Sequence, residues 1–340
     1  MKLTPGEVYF VIEHDVKTKV QSPYVKIGIV ESDPKEKRTS QERALEHQTG
    51  NPRKISVFHI LKTELVRNVE NKLHRYFAKN RIKGEWFEFT SEMLQQAVKQ
   101  AEVFVQMAGH DFEVLSNAQS LDTQLSTQIV KESSEDLKKM KTSLLELKEK
   151  LKVCKNLDNE YRAFISNLPE EKFDSVATIQ NPTPKEVFDK DAFKESEPLL
   201  WDSFQVSDET FSHTFRLDGV RKFEVDLEIN DPNLHEFKLK FQVCLEQSRA
   251  NEEKIEELQE LFFELRNLSS GYEYEAEVLE SRIKVECGLA KAIKDVCTWE
   301  RFYKKSQKFD EASFKLKHPD VWSKFTKTKI PSDKLIPAKY

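Results

Sequence analysis

Glycine is scarce in this chain, 8 in 340 residues, and cysteine scarcer still at 4. So little glycine argues against a compact all-β protein. With 33% charged and 38% hydrophobic residues the sequence reads as helix-rich, with exposed charged helices. The cysteines, Cys154, Cys244, Cys287 and Cys297, form no C-x-x-C pair and have no histidine at matching spacing. They are expected as small buried hydrophobes rather than zinc or redox centres. No stretch approaches the ~18 apolar residues of a membrane span, and Met1-Lys2-Leu3-Thr4-Pro5 carries no signal-peptide core. No membrane association and a cytoplasmic location follow as expectations. The length favours two or three structural units over one core.

Charge is present but unevenly spread. Residues 1–100 hold 18 Lys/Arg against 13 Asp/Glu, residues 101–300 hold 25 against 42, and residues 301–340 hold 11 against 4. Two basic ends flank an acidic middle, and the ends are where a polyanion would be held.

Along the first hundred residues, Glu7–Ile12 and Tyr24–Val30 read as an antiparallel strand pair, with a third strand at Ile55–Leu61. Ser40 is expected to cap a helix that runs to about His47 and stops at Gly50-Asn51-Pro52. Leu65, Val69, Leu73 and Phe77 recur at helical spacing; Glu85–Phe89 is short and aromatic, and Leu94–Met107 closes the unit near residue 112. The expected class is α+β: a small three-stranded antiparallel sheet with flanking helices, then helical regions and a short β-hairpin. Residues 113–165 form a helical stretch whose Leu137, Met140, Leu144, Leu147, Leu151 and Cys154 make a coiled-coil seam. Residues 166–205, with Pro169, Pro182, Pro184 and Pro198, read as an extended linker. In 206–300, Asp218-Gly219 offers a type I′ turn before Phe223, Val225, Leu227 and Ile229. Asp231-Pro232 then starts a long heptad helix, with a hairpin break possible at Ser269-Ser270-Gly271. Residues 301–340 are a basic aromatic tail. Its lysines and aromatics suit a nucleic-acid strand or, equally, a helix pair capped by an aromatic plug.

The N-terminal unit carries Val8-Tyr9-Phe10, Lys26-Ile27-Gly28, Arg43, Gln48-Thr49-Gly50-Asn51-Pro52, Glu70-Asn71-Lys72-Leu73-His74 and Gly84-Glu85-Trp86-Phe87 in that order. In this order and spacing the runs resemble the GIY-YIG nuclease superfamily, in its phage-type branch with K-I-G, Q-T-G-N-P, E-x-x-L-H and G-E-W-F. The resemblance covers under a third of the chain. The tail is more faintly similar to the ends of phage-type lambda-exonuclease-like proteins, without that family's nuclease signature.

The superfamily resemblance implies a metal-dependent DNA endonuclease that hydrolyses phosphodiester bonds. It makes Tyr9 the general base for the attacking water, Arg43 the phosphate clamp and Glu70 the ligand of Mg²⁺ or Mn²⁺. A phenol with a reference pKa near ~10 needs cations beside it to act as a base at neutral pH, and Lys26 and Arg43 are the candidates. Lys26 stands where the superfamily has its second tyrosine; site residue and exposed strand lysine are even readings. Arg38 is a rival for Arg43. His74, four residues beyond Glu70, shares its helical face and is either a site residue or a buried structural histidine. The Q-T-G-N-P and G-E-W-F runs read as structural, with Glu85 exposed. DNA is the expected partner, and the heptads suggest a homo-oligomer through coiled coils. The alternative is a catalytically weak DNA-binding or regulatory protein assembled through coiled coils.

Overall fold

In the computed structural model, which describes residues 3–32, 38–48, 51–169, 176–180, 182–219, 231–331 and 334–337, β1 (Gly6–His14) and β2 (Gln21–Glu31) pair antiparallel. Tyr9 lies opposite Gly28 and Val11 opposite Lys26. The period-2 alternation of a strand sorts their side chains. Val8, Phe10, Ile12, Val25 and Ile27 enter the main core, while Tyr9, Val11 and Val30 face the other way with Ala44 and Ile55. Between β2 and β3 (Lys54–Thr63) lies α1 (Ser40–Gln48), seated on the Tyr9 face. Its cap is Thr39 rather than Ser40. The Thr39 hydroxyl accepts from the Glu42 N–H at 3.2 Å, and the Glu42 carboxylate accepts from the Thr39 N–H at 2.8 Å, a reciprocal capping box. The Ser40 hydroxyl instead donates to Glu7 at 2.7 Å and ties the helix to β1.

On the opposite face, α2 (Val66–Tyr76) buries Val66, Val69 and Leu73 against the sheet. Then β4 (Arg81–Lys83) and β5 (Trp86–Glu88) extend the sheet to five strands in the order β3-β1-β2-β5-β4, two more than the expected three. α3 (Ser91–Asp122), capped by Thr90, does not stop at the expected boundary. It passes residue 112 as one helix, and Ala108 and Leu115 belong to the same core as the sheet.

The helical body follows from β6 (Val130–Lys131) through α4 (Glu135–Ile165). The expected seam is there, but this chain fills it. Leu144 and Leu147 pack with Ala276 and Ile283, and Cys154, Leu157 and Tyr161 with Leu258, Phe262 and Leu265, so the two long helices run antiparallel.

The segment expected as a linker is ordered where described: β7 (Ala177–Gln180), β8 (Lys185–Phe188), α5 (Lys190–Ser196) and α6 (Pro198–Ser203). β9 (Gln205–Leu217) does enter the Asp218-Gly219 turn, but the expected second arm, Phe223–Ile229, lies outside the described residues, as does Gly50. β9 pairs along its length with a strand some eighty residues on, β11 (Cys297–Phe309). Between them come α7 (Pro232–Ala250), capped by Asp231 with Pro232 in its first turn, and α8 (Ile255–Cys287), then β10 (Ala292–Ile293). The break in the long heptad run falls at Asn251, whose side chain accepts from the Glu253 N–H at 3.0 Å, and α8 runs unbroken through Ser269-Ser270-Gly271.

The tail holds α9 (Glu311–Lys317), α10 (Pro319–Lys324), β12 (Thr326–Lys329) and β13 (Lys334–Pro337). It repeats the former linker. Phe188, Asp189, Phe193, Lys194, Pro198, Trp201 and Phe204 recur, each 121 positions on, as Phe309, Asp310, Phe314, Lys315, Pro319, Trp322 and Phe325. The two copies interlock about a pseudo-two-fold axis. β8 pairs with β12 as β11 pairs with the start of β9. Phe188 stacks on Trp322 at 4.3 Å and Phe309 on Trp201 at 4.5 Å. The Asp189 N–H donates to the Phe325 carbonyl at 2.8 Å, and that of Asp310 to the Phe204 carbonyl at 2.9 Å. The tail aromatics are thus the plug of a duplicated module, with Phe193 and Phe314 fully buried at its centre.

Candidate active site

The Tyr9 face of the sheet gathers most of the chemistry expected from the sequence. Tyr9 is fully buried, and its ring lies across Gly28: a Cβ built on that glycine would stand 2.7 Å from both Cζ and the phenol oxygen. The glycine of the K-I-G run is therefore the floor on which the phenol rests. Burial and the charge of Glu85 push the Tyr9 phenol up to about 12, against the pull of Arg43, which lies beside it and hydrogen-bonds it; Glu70 adds to the rise. Tyr9, Arg43, Glu70 and Glu85 therefore share one electrostatic neighbourhood.

Lys26, one cross-strand step from Tyr9, is buried and ion-paired with Glu85. Partial burial raises the Glu85 carboxyl, but the charge and hydrogen bond of Lys26 outweigh it and hold the group below the ordinary carboxylate range. Glu85 is exposed, as its sequence context suggests, yet through Lys26 it is also part of the site rather than only structural. Its backbone carbonyl also accepts from the Ile27 N–H at 3.0 Å, which fixes the G-E-W-F turn beside the K-I-G strand.

Arg43 projects from α1 next to the buried Ala44. It is held on its far side by Glu46 at 2.6 Å, and Arg38 pairs with the same carboxylate. The two arginines pull the Glu46 carboxyl down to about 2. It is Arg43 that reaches Tyr9, which separates it from its rival. His47, one turn along α1, also faces this group. Burial, then Lys26 and Arg43, lower its imidazole, and its Nε2 has no hydrogen-bond partner. The i, i+4 spacing of Arg43 and His47 was the signal available for it.

Glu70 reaches the same neighbourhood from α2. Part of its surface is open, yet its carboxyl is so enclosed that burial, followed by the charge of Glu85, pushes it up to about 8. Among the described residues it has no hydrogen bond or ion pair. An enclosed carboxylate without a donor, beside a second carboxylate, is a donor set that fits an oxygen-seeking divalent ion that keeps most of its water. Among the described residues no group of three or more His, Cys, Asp or Glu side chains could hold a metal, so protein ligation would rest on Glu70, with Glu85 at hand.

His74 lies within electrostatic reach of Glu85 and Lys26, but its ring is turned into the core. It is buried with its ring 5.2 Å from Phe87, and its Nε2–H donates to the Ile27 carbonyl at 3.1 Å. Burial, then Arg81, lowers it to about 4, so it is a neutral structural donor. The helical face it shares with Glu70 is wide enough for one residue to enter the site and the other the core.

The Q-T-G-N-P run builds the floor behind α1. Gln48 donates to the Asn51 and Arg53 carbonyls and accepts from the Ile55 N–H, while Asn51 donates to Glu13 at 2.6 Å.

Among the described residues no helix is long and apolar enough to cross a membrane. No curated protein and no solved structure matches the chain. Residues 6–102 match the family model of the T5orf172 domain, a stretch that takes in the five-stranded sheet, α1, α2 and the first third of α3.

Proposed function

We propose that the N-terminal unit is a metal-dependent endonuclease of the GIY-YIG type that hydrolyses DNA phosphodiester bonds. The T5orf172 match, which suggests a phage-type nuclease or DNA-binding domain, agrees with this. The observation that carries it is Glu70: a carboxyl raised to about 8, without a donor, in the same neighbourhood as Tyr9, Arg43 and the Lys26–Glu85 pair. Such perturbed groups concentrate at functional sites.

In this reading Arg43 holds a phosphate oxygen with its planar fork. Tyr9 orients the attacking water and takes its proton. Glu70, with Glu85 at hand, would hold Mg²⁺ or Mn²⁺, which when bound would supply positive charge to the phosphate and to the two carboxylates. Burial first, and then the charge of Glu85, keeps the phenol protonated, and positive charge beside the carboxylates would bring it down. Lys26 steadies Glu85 and contributes charge. His47 is the second proton acceptor on this face.

A second reading, a DNA-binding head that does not cut, draws on Lys26 being already neutralised by Glu85 and on the raised phenol. Incubation of supercoiled plasmid with Mg²⁺ or Mn²⁺ separates the two. Nicking by the wild type that Glu70→Gln abolishes supports cleavage; retained nicking in that variant removes the metal role from Glu70. Binding without nicking establishes the second reading. The pH–rate profiles of Tyr9→Phe and His47→Gln then assign the base.

A further inference from the structure

The duplicated module provides its own control. Both copies build the same fold, so a surface residue present in one and absent from the other is not demanded by that fold. The aromatic, aspartate, lysine and proline positions of the motif are retained, whereas the exposed positions diverge in charge. Residues 183–208 hold 3 Lys and 7 Asp/Glu; the equivalent residues 304–329 hold 8 Lys and 3 Asp/Glu. Lys304, Lys305, Lys308, Lys317, Lys324 and Lys329 stand where the first copy has Thr183, Pro184, Val187, Ser196, Ser203 and Asp208, and all six lysines are exposed.

Among the described residues, five of the six make no ion pair, although Glu209 lies across the ribbon from Lys305, and Lys308 has Asp208 at 3.8 Å. A seventh, Lys327, is taken up by Asp189 at 2.6 Å. The lysines lie on β11, on the α9–α10 pair and on β12. The first copy meanwhile carries Glu195, Glu197 and Asp202 where the second has Leu316, His318 and Ser323. The motif's aromatics are turned inward, so what this copy offers a ligand is chiefly charge. That suits phosphates better than stacked bases.

We propose that the second copy of the module is a separate DNA-binding surface that holds the duplex by its phosphates. The basic surface stands on the duplication alone; the choice of DNA as the polyanion rests on the proposed function of the N-terminal unit.

The test uses the full chain and a fluorescent 30-base-pair duplex, with anisotropy read from 50 to 200 mM salt without divalent ions. Replacing the six lysines together by Gln is expected to raise Kd at least tenfold at the lowest salt. The slope of log K against log salt should become shallower by roughly 0.9 for each phosphate that is no longer neutralised. The same six positions changed to Arg should keep both affinity and slope. Unchanged binding in the Gln variant overturns the proposal, as does equal loss of affinity in the Arg variant, because charge is then not the cause. A wild type that binds vesicles with anionic headgroups but not the duplex also overturns it. A chain that binds through these lysines but never nicks DNA would fail the nuclease reading and leave this one standing.

Discussion

Gly28 and Tyr9 form a pair in which one residue's lack of a side chain defines the other's position. Gly28→Ala puts a methyl 2.7 Å from the phenol, and the ring has no room to retreat because it is fully buried under α1. The variant should lose about 1–3 kcal/mol of stability and at least about tenfold in nicking, since small misplacements of a reacting group are costly. A thermal melt and the plasmid assay check this, and wild-type nicking would sink it. His74 gives a pH prediction. Its folded value of about 4 lies below the ordinary 6.5. Its stabilising contribution is therefore complete above pH 6.5 and is lost as pH falls through 4, on the order of 3 kcal/mol. His74→Gln keeps a donor for the Ile27 carbonyl and does not titrate, so its stability between pH 7 and 4 should fall less than that of the wild type; parallel curves would refute the assignment. At this scale the motif order led to Tyr9, Arg43 and Glu70, and the geometry brings all three together. It could not separate Glu70 from His74, because a helical face does not say where site ends and core begins. Nor did it reveal Glu85, whose recruitment depends on a turn folding back over β2.

α8 shows how far an element can be read from its pattern. The heptads showed a long helix and a seam, but not which helix fills that seam; here it is the chain's own α4. They also left Ser269-Ser270-Gly271 as a possible break. Gly271 is instead a notch: a Cβ there would lie 1.8 Å from Nη1 of Arg75, which reaches across from α2. Around it Asn71 donates to Ser270 at 2.9 Å, and the Tyr274 hydroxyl donates to Asp111 at 2.6 Å. The helix that carries Glu70 is therefore clasped to the body along its other side. Alanine is worth about 1 kcal/mol over glycine within a helix. Gly271→Ala should deliver that gain when Arg75 is also Ala, and clearly less when Arg75 is present. A double-mutant cycle read by denaturant unfolding measures the coupling; additivity would mean the notch has no role.

For the whole molecule, the duplicated module was the least legible part, although its residues are in plain sight. Seven retained positions lie 121 residues apart, and each copy taken alone looks like a proline-rich linker or an aromatic tail. Much of its packing runs between the copies, so local periodicity carries only part of it. Trp201 and Trp322 stack on Phe309 and Phe188 at nearly equal distances. Truncating either to Ala should cost a similar amount, about 3–5 kcal/mol. Each should raise amide exchange in both β9 and β11, and exchange confined to one copy would contradict the interlock. The ribbon that carries this module has a mechanical consequence. Neither β9 nor β11 contains a glycine or proline, and at ~3.4 Å per residue each strand is about 44 Å long. At the other end α3 leaves the sheet as a single helix of about 48 Å. With no loose joint in either arm, the chain is built as a ruler rather than a tether. If one end grips and the other cuts, the cuts should fall at one set offset from the grip, visible as a narrow band of products from an end-labelled duplex.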